Sequence, residues 1–191
     1  QVLVQAIAPG AERSDLWTID LARGVGTRQT SDDANESSPT WSADGREILF
    51  ASNREPPVRV YRKTLQGNEP ETPFGKTTED TRPESVSPGG KGLLCNPRSK
   101  GGDAIRGLSL TGDKDPEPIL ERPYPLDEPQ LSPDGRWLAY GAQETGRWWE
   151  VYIEPYKRPG ERVRVSPDGG GQPKWRGDGK ELFYVTRGGL L

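Results

Sequence analysis

The stretch Asp127-Glu128-Pro129-Gln130-Leu131-Ser132-Pro133-Asp134-Gly135-Arg136-Trp137-Leu138-Ala139-Tyr140 reads as two short β segments reversed on a tight corner. Pro133 presets φ for the first corner position, Asp134 can hydrogen-bond its own backbone, and Gly135 accepts positive φ without a Cβ clash. Past the corner, residues 136–140 are aromatic and largely apolar and are bounded by glycine on both sides, which favours a strand. A further apolar segment, Val151-Tyr152-Ile153, follows a polar loop.

Imperfect copies of this unit recur through the chain. The corner glycines Gly45, Gly90, Gly135 and Gly179 stand 45, 45 and 44 residues apart. A constant stride in the mid-forties with β segments inside each period predicts a propeller blade of about four strands rather than a helical solenoid. An aromatic strand backs the period at residues 16–21, 58–61 and 151–153. Its counterpart at 105–110 has no aromatic, so that unit is the most degenerate. The predicted fold is therefore all-β: a single β-propeller segment, 1–191, of four-stranded antiparallel blades, about four blades' worth. It divides into a partial blade at 1–37, blades at 38–82, 83–127 and 128–171, and a partial blade at 172–191.

The innermost strands are expected at 39–41, 84–86 and 173–175, with one closing on the corner at 132–135. Second strands are expected at 47–52, 93–95, 136–140 and 181–185, and weak outer ones at 71–74, 118–120 and 162–165. An innermost strand is missing at the start and two outer strands at the end, where residues 187–191 open a new segment. The segment reads as part of a larger ring; the alternative is that the two terminal half-blades complement each other.

Of the 191 residues 30% are apolar, with 24 Gly and 19 Pro, and mean hydropathy is −0.86. Thin polar-turned blades account for this composition, and the regular alternation argues against disorder. A net charge of −3 and pI near 5.2 give no generally basic surface, so no nucleic-acid partner is expected. Lys157-Arg158 and Arg162-Arg164 are local basic clusters read as exposed strand charge. Cys95 is the sole cysteine, which precludes an internal disulfide. No apolar run reaches the length of a membrane span, so no membrane contact is expected from this segment.

The motifs 38–46 and 129–136, with weaker versions at 83–91 and 173–180, resemble the TolB-like (WD40-like) β-propeller repeat: proline, a short strand, Trp-Ser-Pro-Asp-Gly-Arg/Lys, then an apolar strand. The Gly89-Gly90 corner is the main departure. The phrases at 15–30, 38–54, 130–156 and 172–185 are similar to the C-terminal propeller of bacterial receptor-type serine/threonine kinases. That resemblance implies an extracytoplasmic binding or sensing module. TolB docks protein partners, and the same propeller type gates prolyl-oligopeptidase-family enzymes, so the alternative is the propeller domain of a hydrolase.

The chain has no histidine, which removes Ser-His-Asp and Cys-His catalysis and histidine zinc sites. It has neither a G-x-S-x-G elbow nor a phosphate-binding G-x-x-x-x-G-K-[ST] loop. No catalytic residue is expected in this segment. The carboxylate pairs Asp32-Asp33, Glu79-Asp80 and Asp127-Glu128 each precede an innermost strand and would ring one mouth of the channel. There they suit a calcium ion, a cationic partner or carboxylate glycosidase chemistry, although solvated loop charge is the plainer reading. No other cofactor is expected.

Loops on a rigid scaffold are where binding residues concentrate. The connections into the innermost strands (32–37, 78–82, 124–128, 169–172) are expected to share a face with those between second and third strands (53–57, 98–103, 143–148). The candidate binding residues are Asn35, Glu36, Asp80, Arg82, Asp127, Glu128, Gln172 and Trp148, for a protein or small ligand at that face. Trp148 and Trp149, on an expected strand start, should point to opposite faces.

Overall fold

Hairpin corners set the repeat, and all four are built alike. The carbonyls of Ser42, Ser87, Ser132 and Arg176 accept from the N–H of Gly45, Gly90, Gly135 and Gly179 at 2.8–3.0 Å, and these glycines have φ of +68°, +68°, +69° and +70°. At two corners a serine hydroxyl fixes the loop. Ser42 Oγ donates to Asp44 and accepts from Glu47 N–H, and Ser132 Oγ does the same with Asp134 and Trp137. At the departing corner Gly89 takes φ +78° in place of the aspartate, and Ser87 Oγ still accepts from Gly92 N–H at 2.9 Å. A Cβ on Gly90 would lie 2.7 Å from that of Ala43, so consecutive corners touch.

The structure, a computed structural model, describes residues 1–67, 69–99, 102–111, 115–158 and 160–189, and the regular structure among them is entirely β. The chain is an all-β propeller array of antiparallel sheets. β1 (Val2–Ile7), β2 (Ser14–Asp20) and β3 (Val25–Arg28) form the first, three-stranded sheet. β4 (Glu36–Trp41), β5 (Glu47–Ser52), β6 (Arg59–Thr64) and β7 (Thr72–Pro73) form the second. β8 (Thr81–Val86), β9 (Gly92–Ser99), β10 (Gly102–Ser109) and β11 (Glu117–Arg122) form the third. β12 (Leu126–Leu131), β13 (Trp137–Ala142), β14 (Glu150–Pro155) and β15 (Val163–Arg164) form the fourth, and β16 (Gly170–Trp175) pairs with β17 (Leu182–Thr186) in the fifth. The two terminal sheets remain separate and do not combine into one blade, contrary to the self-complementing alternative. Leu190 and Leu191, where a new segment was expected to begin, lie outside the described residues.

The innermost strands begin about three residues earlier than the sequence suggests, because prolines conceal their first part. Pairing runs Ser37↔Ala51 and then Thr40↔Leu49, Asp127↔Gly141 and then Gln130↔Ala139, Gly171↔Val185 and then Lys174↔Phe183. The skipped pair ends in proline each time, and the residue before it is left-handed: Ser38 at φ +50°, Glu128 at +52°, Gln172 at +58°. Such a bulge lets the strand pass a residue with no N–H to give the ladder and re-aims the bulged side chain. Two outer strands are shorter than expected, Thr72–Pro73 and Val163–Arg164.

The second strands β5 and β9 are apolar on both sides because each is sandwiched between sheets. On β5, Ile48 and Phe50 join Leu16 and Tyr61 toward the first sheet, and Leu49 joins Val60, Leu93, Cys95 and Leu108 toward the third. Leu94, Ile105, Leu126, Leu138 and Tyr140 fill the space between third and fourth sheets. Full burial of one such side chain contributes roughly 1.5–3 kcal/mol. β13 has Ala139 and Gly141 at the positions where β5 has Leu49 and Ala51, so its side toward the fifth sheet carries little bulk.

Candidate functional site

The connections into innermost strands and those between second and third strands do meet at one face, and backbone groups join them. Thr81 N–H donates to Val58 O, Val58 N–H to Asp80 Oδ1, and Leu126 N–H to Asp103 Oδ2. At the last interface Gly170 N–H donates to Trp149 O at 2.8 Å. Residues 100 and 101 of the expected loop 98–103 lie outside the described residues.

Four of the eight candidates are occupied by contacts between or within sheets. Asn35 Oδ1 accepts from Ser14 N–H at 3.2 Å, and its own N–H donates to Asn53 Oδ1. Asp80 holds Val58 as described, and Arg82 Nη1 donates to Ser37 Oγ at 2.9 Å across neighbouring innermost strands. Glu36 is fully buried beside Ser52 and Arg54, whose guanidinium also pairs with Asp32 and Glu71 and lies over the Tyr61 ring at 4.3 Å. Burial pushes the Glu36 carboxyl above its ordinary range, and Arg54 is the largest opposing influence.

The other four, Asp127, Glu128, Trp148 and Gln172, come together around a cavity of about 420 Å³ between the fourth and fifth sheets. Its existence follows from the small residues of β13. Gly141 lies under the edge of Trp149, whose Cε3 would stand 3.4 Å from a Cβ there, and Gly170 passes so close to Tyr184 and Val185 O that a Cβ would lie 2.8 Å from each. The bulge at Glu128 aims its carboxylate across the interface, where Oε2 accepts from Gln172 N–H at 2.7 Å. Burial, and then the charge of Asp127, raise the Glu128 carboxyl above its ordinary value. Trp148 and Trp149 are 46% and 36% exposed, and both line the cavity. The expectation that they diverge is corrected: β14 starts at Glu150, so both tryptophans precede the strand and its alternation does not govern them. Arg187 completes the rim, its guanidinium carbon 3.5 Å from the Trp148 ring centroid.

Trp149, Arg187 and the glycine floor were not among the candidates. The Ala139 and Gly141 substitutions relative to the earlier repeats were the available signal. Within the basic clusters Lys157 pairs with Glu117, Arg162 with Glu144, and Arg164 with Glu150. Among the described residues no group of three or more His, Cys, Asp and Glu is arranged to hold a metal ion.

Residues 2–153 match the family model described as the TolB beta propeller domain. A stretch of 54 residues, 28% of this chain and 18% of the relative, is 33% identical to an uncharacterized protein of Agrobacterium fabrum. Among solved structures, TolB from Acinetobacter baumannii superposes with a TM-score of 0.77 at 19% identity, covering 97% of this chain and 46% of that one. A protein described as a TolB of Agrobacterium tumefaciens gives 0.76 at 17% identity over 95% of this chain and 68% of its own. A periplasmic gluconolactonase of Pseudomonas aeruginosa gives 0.65 at 16% identity over 95% and 60%. These superpositions establish the fold. The chain thus spans about half the length of the Acinetobacter TolB and less than a fifth of the curated relative.

Proposed function

We propose, because the chain belongs to the TolB β-propeller domain family, that it is a non-catalytic binding module holding a protein or small ligand at the cavity between its last two sheets. The same reading places it outside the cytoplasm as part of a larger bacterial protein such as a receptor-type serine/threonine kinase, on the resemblance of its repeat phrases. The observation that carries the binding reading is the cavity itself: two partly exposed tryptophans facing two carboxylates on a rigid β scaffold. Concave sites of this size with few convergent polar groups are where ligands are held, and tryptophan is the side chain that most often anchors a partner.

The test is capture of extracytoplasmic proteins and small-ligand mixtures on the immobilised chain, with the Trp149→Ala form in parallel. Retention that the variant loses supports the reading. No retention, together with turnover of a sugar or peptide substrate, overturns it. A second reading, a carboxylate hydrolase, draws on Glu128, a carboxyl with raised pKa beside a second one in a cavity. It requires that Glu128→Gln abolish a measurable turnover without unfolding the protein.

A further inference from the structure

Among the described residues, several buried or half-buried carboxylates are met by arginine or lysine. Glu36 and Asp32 have Arg54, Asp15 has Arg28, Glu154 has Arg122, Glu150 has Arg164, and Glu71 has Lys63. Among the described residues an arginine near a carboxylate also lies over an aromatic ring three times, Arg62 over Phe74 at 5.5 Å while 3.8 Å from Glu47 being the loosest. Arg54 sits over Tyr61 at 4.3 Å while paired with Glu36, and Arg162 over Tyr152 at 4.6 Å while paired with Glu144. An arginine between ring and carboxylate is therefore a device this sequence builds repeatedly, and its planar, weakly hydrated guanidinium suits both partners at once.

The cavity has the rings and the carboxylates of that device and lacks the arginine between them. Among the described residues no Lys or Arg forms an ion pair with Asp127 or Glu128. Glu128 Oε2 is taken by Gln172 N–H and Asp127 Oδ1 by Glu128 N–H, which leaves the second oxygen of each carboxylate for a donor from outside. Arg187 lies over the Trp148 ring and, among the described residues, forms no ion pair with either carboxylate. The charge of Lys174 lowers the Glu128 carboxyl without a hydrogen bond or ion pair to it among the described residues.

We infer that the cavity receives an arginine side chain presented by a partner protein, its guanidinium held between the tryptophan pair and the Asp127 and Glu128 carboxylates. This rests on the binding-module reading and specifies its ligand. Arg187 then acts as a placeholder that the incoming guanidinium displaces from Trp148.

The experiment is calorimetric titration of the chain with the blocked peptide acetyl-Gly-Arg-Gly-amide. Parallel titrations use the citrulline analogue, free L-arginine and sodium galacturonate. The arginine peptide should bind at least about tenfold tighter than the citrulline peptide, which keeps the shape and loses the charge. It should also bind tighter than free arginine, whose own carboxylate meets the acidic pair. Asp127→Asn with Glu128→Gln should cost at least about tenfold with the melting temperature unchanged, and Arg187→Ala should tighten binding. Equal affinity for arginine and citrulline peptides overturns the inference, as does free arginine matching the peptide. So does preferential binding of galacturonate that Arg187→Ala abolishes. If the arginine peptide fails while a captured partner is still released by Trp149→Ala, the inference falls and the binding module stands; if the peptide fails, nothing is captured and a sugar or peptide substrate is turned over, both fall.

Discussion

Replacing Arg54 with alanine should be among the most damaging single changes in this chain, and its effect should depend on pH in a defined direction. The Arg54 side chain is 19% exposed and pairs with Glu36, whose side chain is 0% exposed, as well as with Asp32 and Glu71. Its removal leaves a buried carboxylate with only Ser52 Oγ as a near partner, close to a second negative charge at Asp32. Removing one partner of a buried pair costs about 3–5 kcal/mol, a large share of a typical stability of roughly 5–15 kcal/mol. Lost contact with the Tyr61 ring adds about 1 kcal/mol. The Glu36 carboxyl is already raised above its ordinary 4.5 by burial, with Arg54 the largest influence lowering it, so the variant raises it further. A raised carboxyl contributes most to stability while protonated, and that contribution is lost as pH rises through the folded value. The cost of Arg54→Ala is therefore largest at pH 7.5 and smaller at pH 4.5. Adding Glu36→Gln to Arg54→Ala should restore part of the loss, by a coupling on the order of 1–3 kcal/mol. Urea unfolding of Arg54→Ala, Glu36→Gln, the double variant and the unaltered chain at both pH values is the assay. A loss under about 1 kcal/mol at pH 7.5, or a greater loss at pH 4.5, would refute the reasoning.

Three further outcomes follow from the geometry. Gly135→Ala, at φ +69° in open space, should cost about 1–2 kcal/mol by thermal denaturation, and Gly90→Ala should cost more because its Cβ also meets Ala43 at 2.7 Å; equal costs would deny the corner-to-corner contact. Leu138→Ala, in the apolar fill between third and fourth sheets, should lose about 2–5 kcal/mol in the same assay. Cys95 is fully buried and its thiol is pushed well up by desolvation, so a thiol reagent at pH 8 should label it only at the rate of unfolding; rapid labelling of the folded chain would contradict its placement.

The stride and strand order were legible because corner chemistry is local. Ser-Pro-Asp-Gly needs no distant residue to turn, and the Gly89-Gly90 corner reaches the same hydrogen bonds by a second left-handed glycine. The innermost strands were cut short in the reading because proline masks them, and the left-handed residues 38, 128 and 172 that carry the strand past it have no signature of their own. At the site, face sharing could be deduced from topology, and it placed Asp127, Glu128, Trp148 and Gln172 together. It could not separate them from Asn35, Asp80 and Arg82, whose polar groups serve neighbouring sheets, since such partners are distant in sequence. Trp148 and Trp149 were expected to diverge because the strand was taken to start on them, two residues before its start at Glu150.

The most direct measurement of the central claim is the indole N–H spectrum of the six tryptophans during titration with acetyl-Gly-Arg-Gly-amide, with Trp148→Phe and Trp149→Phe forms assigning the two signals. Saturable shifts at Trp148 and Trp149, with Trp17 and Trp41 unmoved, are the predicted result. Shifts confined to the other tryptophans, or none at all, would contradict it.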